Sequence, residues 1–191
     1  IGLRMSEHIT GLKVSATTVD RSTVEREIEA ICMRLLLHQQ PVARDLREIS
    51  AALKMISDME RIGDQAADIA DLSKFIDRSV VEIPDEIARM AEKTVHMVTE
   101  SIDAFVKADL ALCRKVIDDD DLVDELFNQT KNKLADLIYK NMDAKAGLDL
   151  LMTAKYMERI GDHAVNIAEW VEYSITGIHR NNEHQMGGNK N

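Results

Sequence analysis

The sequence predicts an all-α protein made of two tandem three-helix bundles related by internal duplication. Three observations carry this expectation. Apolar residues recur every three or four positions along almost the whole chain. Residues that interrupt helices are scarce, with 2 Pro and 8 Gly in 191 residues, and aromatics make up only 4%. A twelve-residue stretch, MERIGDQAADIA at Met59–Ala70, returns as MERIGDHAVNIA at Met157–Ala168, 98 positions later.

The elements follow in order. IGLRMSEHITGLKVSA is weakly periodic and reads as the tail of a first helix. VEREIEAICMRLLLHQ places Val24, Ile28, Ile31, Leu35 and Leu36 on one side and stops at Gln39-Gln40-Pro41, since proline forbids continuation. A long pattern then runs from Val42 to near Arg78 through Leu46, Ile49, Leu53, Ile56, Met59, Ile62, Ile69 and Leu72. Pro84-Asp85-Glu86 has the chemistry of a helix start. Ile87 to Phe105 marks the next helix, which pauses near Lys107–Asp109. A segment from about Leu110 to Asn141 follows, and NMDAKAG breaks it from a final helix at about Leu148–Ile175, stopped by Gly177. The expected division is a first bundle over 1–82, a second over 83–177, and a polar, disordered tail over 178–191.

Composition narrows the function classes. At 45% hydrophobic residues, a core can be built. A formal net charge of −10 and the lack of a dense Lys/Arg run argue against nucleic acid, which is held largely through phosphate contacts. An acidic surface suits cations or a basic partner. Cys32 and Cys113 lie far apart within apolar helical patterns and read as small buried hydrophobes of an intracellular chain. No apolar stretch approaches the roughly 20 residues of a membrane span, so no direct membrane insertion is expected.

The chemistry lies in the repeated stretch. On a helix, Glu60, Asp64 and Asp68 fall four residues apart and share one face, as do Glu158, Asp162 and Asn166. Like charges at this spacing cost roughly 0.2–0.5 kcal/mol per pair. Gly63 and Gly161 add about 1 kcal/mol each relative to alanine, which is useful where something must approach closely. Arg61 and Arg159 point away from the row and read as surface ion pairs with Asp58, Asp162 or a neighbouring helix. A further acidic element, IDDDDLVDELF, sets Asp120 and Asp124 at the same spacing. Alone, a four-Asp run fits a solvated helix start helped by the macrodipole. Beside the final helix, Asp120 and Asp124 could instead face Glu158 and Asp162, giving an oxygen-only site for a hard cation such as Mg²⁺ or Mn²⁺, or for iron. The matching place in the first half, SATTVDRSTVERE, offers only Asp20 as an obvious ligand, with Thr17, Thr18 and Ser22 nearby.

The histidines at 38, 96, 163, 179 and 184 do not form the Glu-x-x-His pairs of a di-iron carboxylate bundle. Nor is there a nucleophile elbow, a phosphate-binding loop or a zincin motif. A metal-binding helical module is expected rather than an enzyme. A carboxylate-bridged phosphohydrolase and a purely structural scaffold are the alternatives.

The segments PVARDLREISAALKMISDMERIGDQAADIA (Pro41–Ala70) and AKYMERIGDHAVNIAEWVEY (Ala154–Tyr173) closely resemble the two signature regions of the phosphate-uptake regulator (PhoU) family, in a likeness extending from about Val24 to His179. The resemblance implies a cytoplasmic, non-enzymatic negative regulator of the phosphate-starvation response and of high-affinity phosphate uptake. It implies two symmetric three-helix bundles, a homodimer or larger oligomer, and partners in the phosphate ABC transporter ATPase and the phosphate-sensing histidine kinase. Some members bind multinuclear metal clusters through Glu/Asp-x-x-x-Asp motifs. Carried onto this sequence, the metal residues are Glu60, Asp64 and Asp68 in the first half and Asp120, Asp124, Glu158 and Asp162 in the second. Fe, Mn, Mg or Zn ions are the expected occupants. The first half departs from the pattern around Thr18–Ser22, and its opening helix is expected to be largely missing.

Overall fold

The computed structural model describes residues 21–38, 42–76 and 81–178. They form five helices: α1 (Arg21–His38), α2 (Ala43–Leu72), α3 (Asp85–Lys107), α4 (Leu110–Tyr139) and α5 (Ala144–Thr176). No strand occurs among the described residues.

Local chemistry sets the ends. The N–H of Val42 donates to the Asp45 carboxylate at 3.2 Å where α2 begins. Acidic Asp85 and Glu86 sit in the first turn of α3 and Lys107 in its last, each matched to the helix dipole. Asp109 caps α4, its Oδ1 accepting from the N–H of Ala111 at 2.8 Å and of Leu112 at 3.2 Å. Asp143 caps α5 by accepting from the N–H of Ala146 at 3.0 Å. That cap moves the start of α5 to Ala144, four residues before the Leu148 expected from apolar spacing. Helix α5 ends at Gly177, whose φ of +76° a side chain rarely adopts. Helix α2 closes at Leu72, short of the expected Arg78, and residues 77–80 lie outside the described residues.

Helices α3, α4 and α5 pack pairwise into a closed bundle, as the duplication predicts for the second half. Its core holds Ile87, Met90, Met97, Val116, Val123, Leu126, Leu150, Ile167 and Val171, nearly all inaccessible to water. Both cysteines are buried. The Cys113 thiol is pushed up to about 11, chiefly by burial, which keeps it protonated and inert. In the first half α1 packs on α2. The expected first helix and the tail after Gly177 fall on residues 1–20 and 179–191, outside the described residues.

The two halves meet mainly through α2 against α5, the most extensive helix contact in the molecule. The helices run antiparallel in constant register. Arg47 donates to the Ser174 carbonyl at 3.5 Å, Asp58 meets His163 near the middle, and Lys145 lies 5.8 Å from the ring centre of Phe75. Ile62 and Ile160 are buried near the crossing point. No described helix is long and apolar enough to cross a membrane.

Asp143→Ala is expected to destabilise the chain by about 1 kcal/mol, and Asp143→Asn by much less, because asparagine caps equally well. Urea unfolding of the two variants checks this. Equal losses would mean that the charge at 143, rather than the cap, stabilises α5.

Candidate metal centre

The repeated motif lies in the C-terminal half of α2 and near the middle of α5, and its apolar residues turn inward. Ile62 and Ile69 on α2 and Met157, Ile160 and Ile167 on α5 are buried. This rotation sends the acidic rows toward the opposite side. Glu60 is half-buried, while Asp64 and Asp68 are exposed. Glu158 is half-buried and Asp162 exposed. Arg61 and Arg159 are exposed, in keeping with a surface role.

The second-half row does not stand alone. Helix α4 runs alongside α5, and Asp120 comes close to the backbone there. A Cβ added at Gly161 would lie 3.4 Å from Asp120 Oδ1, 3.6 Å from Val123 and 3.7 Å from Met97. Gly161 is therefore where the helices close on a carboxylate. Burial raises the Asp120 carboxyl to about 6, and the neighbouring Asp162, Asp124, Asp121 and Glu158 push the same way. Asp162 is likewise raised, first by burial and then by Glu158 and Asp124, against the opposing pull of Lys155 and His163. Asp120, Asp124, Glu158 and Asp162 thus share one electrostatic neighbourhood.

The aspartate run is not a helix start. Asp118 is already nine residues into α4, beyond the reach of the terminal dipole. The run instead divides around the helix. Asp119 pairs with Lys93 of α3 at 2.7 Å, and Lys115 pairs with Glu100 of α3 and, at 3.8 Å, with Asp119. These ion pairs fasten α3 to α4. Asp120 faces α5, and Asp118, Asp121 and Asp124 are exposed.

The first half supplies an acid that the spacing rules overlooked. Glu25 of α1 lies beside Glu60 of α2. Desolvation and then the charges of Glu60 and Glu29 raise its carboxyl. Glu25 belongs to no i,i+4 pair with an aspartate, so spacing along the chain does not mark it. Asp20, Thr17 and Thr18 lie outside the described residues.

The donor set fits a hard cation, being oxygen-only and crowded with like charge. Among the described residues, however, no three Asp, Glu, His or Cys side chains already form a cage for an ion. Glu158 is instead paired with Lys155, one turn earlier, whose ammonium also lies 5.2 Å from the ring centre of Phe127. Binding an ion there would require Glu158 to leave Lys155.

Asp58 and His163 take a role that the sequence did not reveal. Asp58 is only 6% exposed, and its Oδ1 lies 2.8 Å from His163 Nδ1 and 3.3 Å from the donating Asn166 amide. Asp58 therefore pairs across the seam rather than with Arg61. Asn166, third in the second row by spacing, turns to the seam instead of extending the ladder. The signal lay in the polar identities at buried-face positions 58 and 163, but their pairing needs the register of α2 on α5.

Comparison with known proteins identifies the architecture. The PhoU domain model matches residues 18–73 and 87–171, covering both halves. A Clostridium acetobutylicum phosphate-specific transport system accessory protein PhoU homolog is 38% identical over 157 residues, covering 81% of this chain and 72% of the relative. A Synechocystis relative of the same name is 34% identical over 171 residues, covering 88% and 75%. The crystal structure of PhoU from Pseudomonas aeruginosa superposes with a TM-score of 0.78 at 30% identity, covering 89% of this chain and 82% of that one. These relatives carry accessory rather than enzyme names. With its two matched segments and the doubled Glu-Arg-Ile-Gly-Asp on paired antiparallel helices, the chain belongs to the PhoU family.

Proposed function

We propose that the chain is a cytoplasmic accessory regulator of phosphate transport. In this reading it holds the phosphate-starvation response off when phosphate is plentiful. It acts as a metal-binding adaptor between the phosphate ABC transporter ATPase and the phosphate-sensing histidine kinase, and it works as a homodimer. Membership of a family whose relatives are named phosphate-specific transport system accessory proteins supports the transport role. The single observation supporting metal binding is the approach of Asp120 to Gly161 within electrostatic reach of Asp124, Glu158 and Asp162.

In that role Glu158 and Asp162 of α5, with Asp120 and Asp124 of α4, would hold the ion, and Glu60, Asp64 and Asp68 would form a second row on α2. A bound cation would supply positive charge that offsets the repulsion among these acids. The absence of a side chain at Gly161 leaves the Asp120 carboxylate room beside the α5 backbone. Lys155 holds Glu158 in its absence. A purely structural role for the rows has one observation in its favour, this same Lys155–Glu158 pair.

Deleting the gene is expected to raise alkaline phosphatase made in high phosphate, and unchanged repression would reject the regulatory role. The metal reading is checked separately by elemental analysis of purified wild type and of Glu158→Ala/Asp162→Ala. The wild type is expected to retain Mn, Fe, Mg or Zn and to gain thermal stability on its addition, and the double variant to lose most of both. Metal-free wild type and variant alike would leave the structural role.

The raised Asp120 carboxyl also makes a pH prediction. Its ordinary value is 3.8 and its folded value about 6, so its protonated form favours the fold. That contribution is present below about pH 4 and is lost as pH rises through 6. In metal-free buffer, Asp120→Asn is expected to melt above wild type beyond pH 6, with the gap closing toward pH 4. A gap that did not change with pH would show that the crowding does not reach the fold.

A further inference from the structure

The duplication creates a pairing problem. A helix that fits its own repeat can also fit the same helix of a second copy. Positions 98 apart correspond between the halves, so Asp58 corresponds to Tyr156, Gln65 to His163, and Asp68 to Asn166. Around the pseudo-twofold axis of the α2–α5 seam, the contact of Asp58 with His163 is mirrored by Gln65 and Tyr156. The two sides are chemically unequal. Asp58 has the imidazole and the Asn166 amide, whereas Gln65, 6% exposed, has a buried Oε1 with no hydrogen-bond partner among the described residues.

We infer that the Asp58–His163–Asn166 contact selects pairing of the unlike halves, α2 with α5, over pairing of α2 with α2 of a second copy. The reason is electrostatic. In an α2–α2 seam of the same register, Asp58 would face Gln65 of the second copy, and Asp68 would stand where Asn166 now donates. Asp58 would lose the imidazole and the amide donor and gain a carboxylate. An almost fully buried carboxylate left without its partners is strongly destabilising. Discrimination therefore comes from what the wrong pairing lacks as well as from what the right one gains. The apolar residues along the seam cannot make this choice, because Ile62 and Ile160 are the same residue in both copies of the motif.

The test uses the full chain in chelator-treated buffer. Asn166→Asp puts into α5 the residue that α2 carries, and it is expected to lower Tm by roughly 6 °C or more. Adding Asp58→Asn is expected to restore at least half of that loss. A cysteine at Ile62 reports the geometry, since an α2–α2 seam brings two such thiols together across the axis. Under mild oxidation, Ile62→Cys alone is expected to form little disulfide-linked dimer, and Ile62→Cys with His163→Gln/Asn166→Asp to give at least several-fold more. Asp58→Asn in that background is expected to restore stability without lowering the dimer fraction, because it relieves both seams alike. An unchanged Tm in Asn166→Asp, no rescue by Asp58→Asn, or equal dimer with the intact seam would each overturn the proposal.

Discussion

The antiparallel packing of α2 on α5 is the contact on which the rest of the molecule depends. It joins the halves of a duplicated chain and sets how each long helix is rotated. With Ile62, Ile69, Ile160 and Ile167 turned inward, the Glu and Asp of the motif cannot be buried with them. A helix of 3.6 residues per turn separates residues spaced by four from those spaced by two. The acidic rows are consequently held away from the seam, where they meet α1 and α4 instead.

From that rotation follows an unequal pair of sites. In the second half, Asp120 approaches Gly161, and this half-buried carboxylate feels the charge of Asp162, Asp124, Asp121 and Glu158. In the first half, Glu25 meets Glu60, and the remaining acids of the row are exposed. Both arrangements concentrate negative charge on the outer side of a long helix. Their local cations differ, because Lys155 is placed one turn before Glu158 whereas the corresponding position before Glu60 is Ser57. The duplication has thus preserved the motif while its surroundings diverged.

The inner face carries the complementary lesson. Burying Asp58 demands partners, and His163 and Asn166 provide them across the seam. A wholly apolar seam would pack as well but would treat the two repeats as equivalent. A polar contact is specific because its absence is costly, which is how buried polar residues set register in helical assemblies. The ion pairs of Lys93 and Lys115 with Asp119 and Glu100 do less of this, since their partly exposed charges retain contact with water.

The sequence by itself determined the helical class, the duplication, most of the helix boundaries to within a few residues, and the acidic rows. All of these depend on local spacing: 3.6-residue periodicity, proline and glycine punctuation, and residues four apart on one helix. The early start of α5 was also local, since Asp143 has the chemistry of a cap, although the apolar pattern hid it. What only the tertiary structure decided were contacts between helices. Asp120 rather than Asp119 faces α5, Glu25 joins Glu60, and Asp58 pairs with His163 at a sequence distance of 105 residues. A helix carries its own periodicity in its sequence, but the rotation and register of one helix on another are set by the packing of both at once.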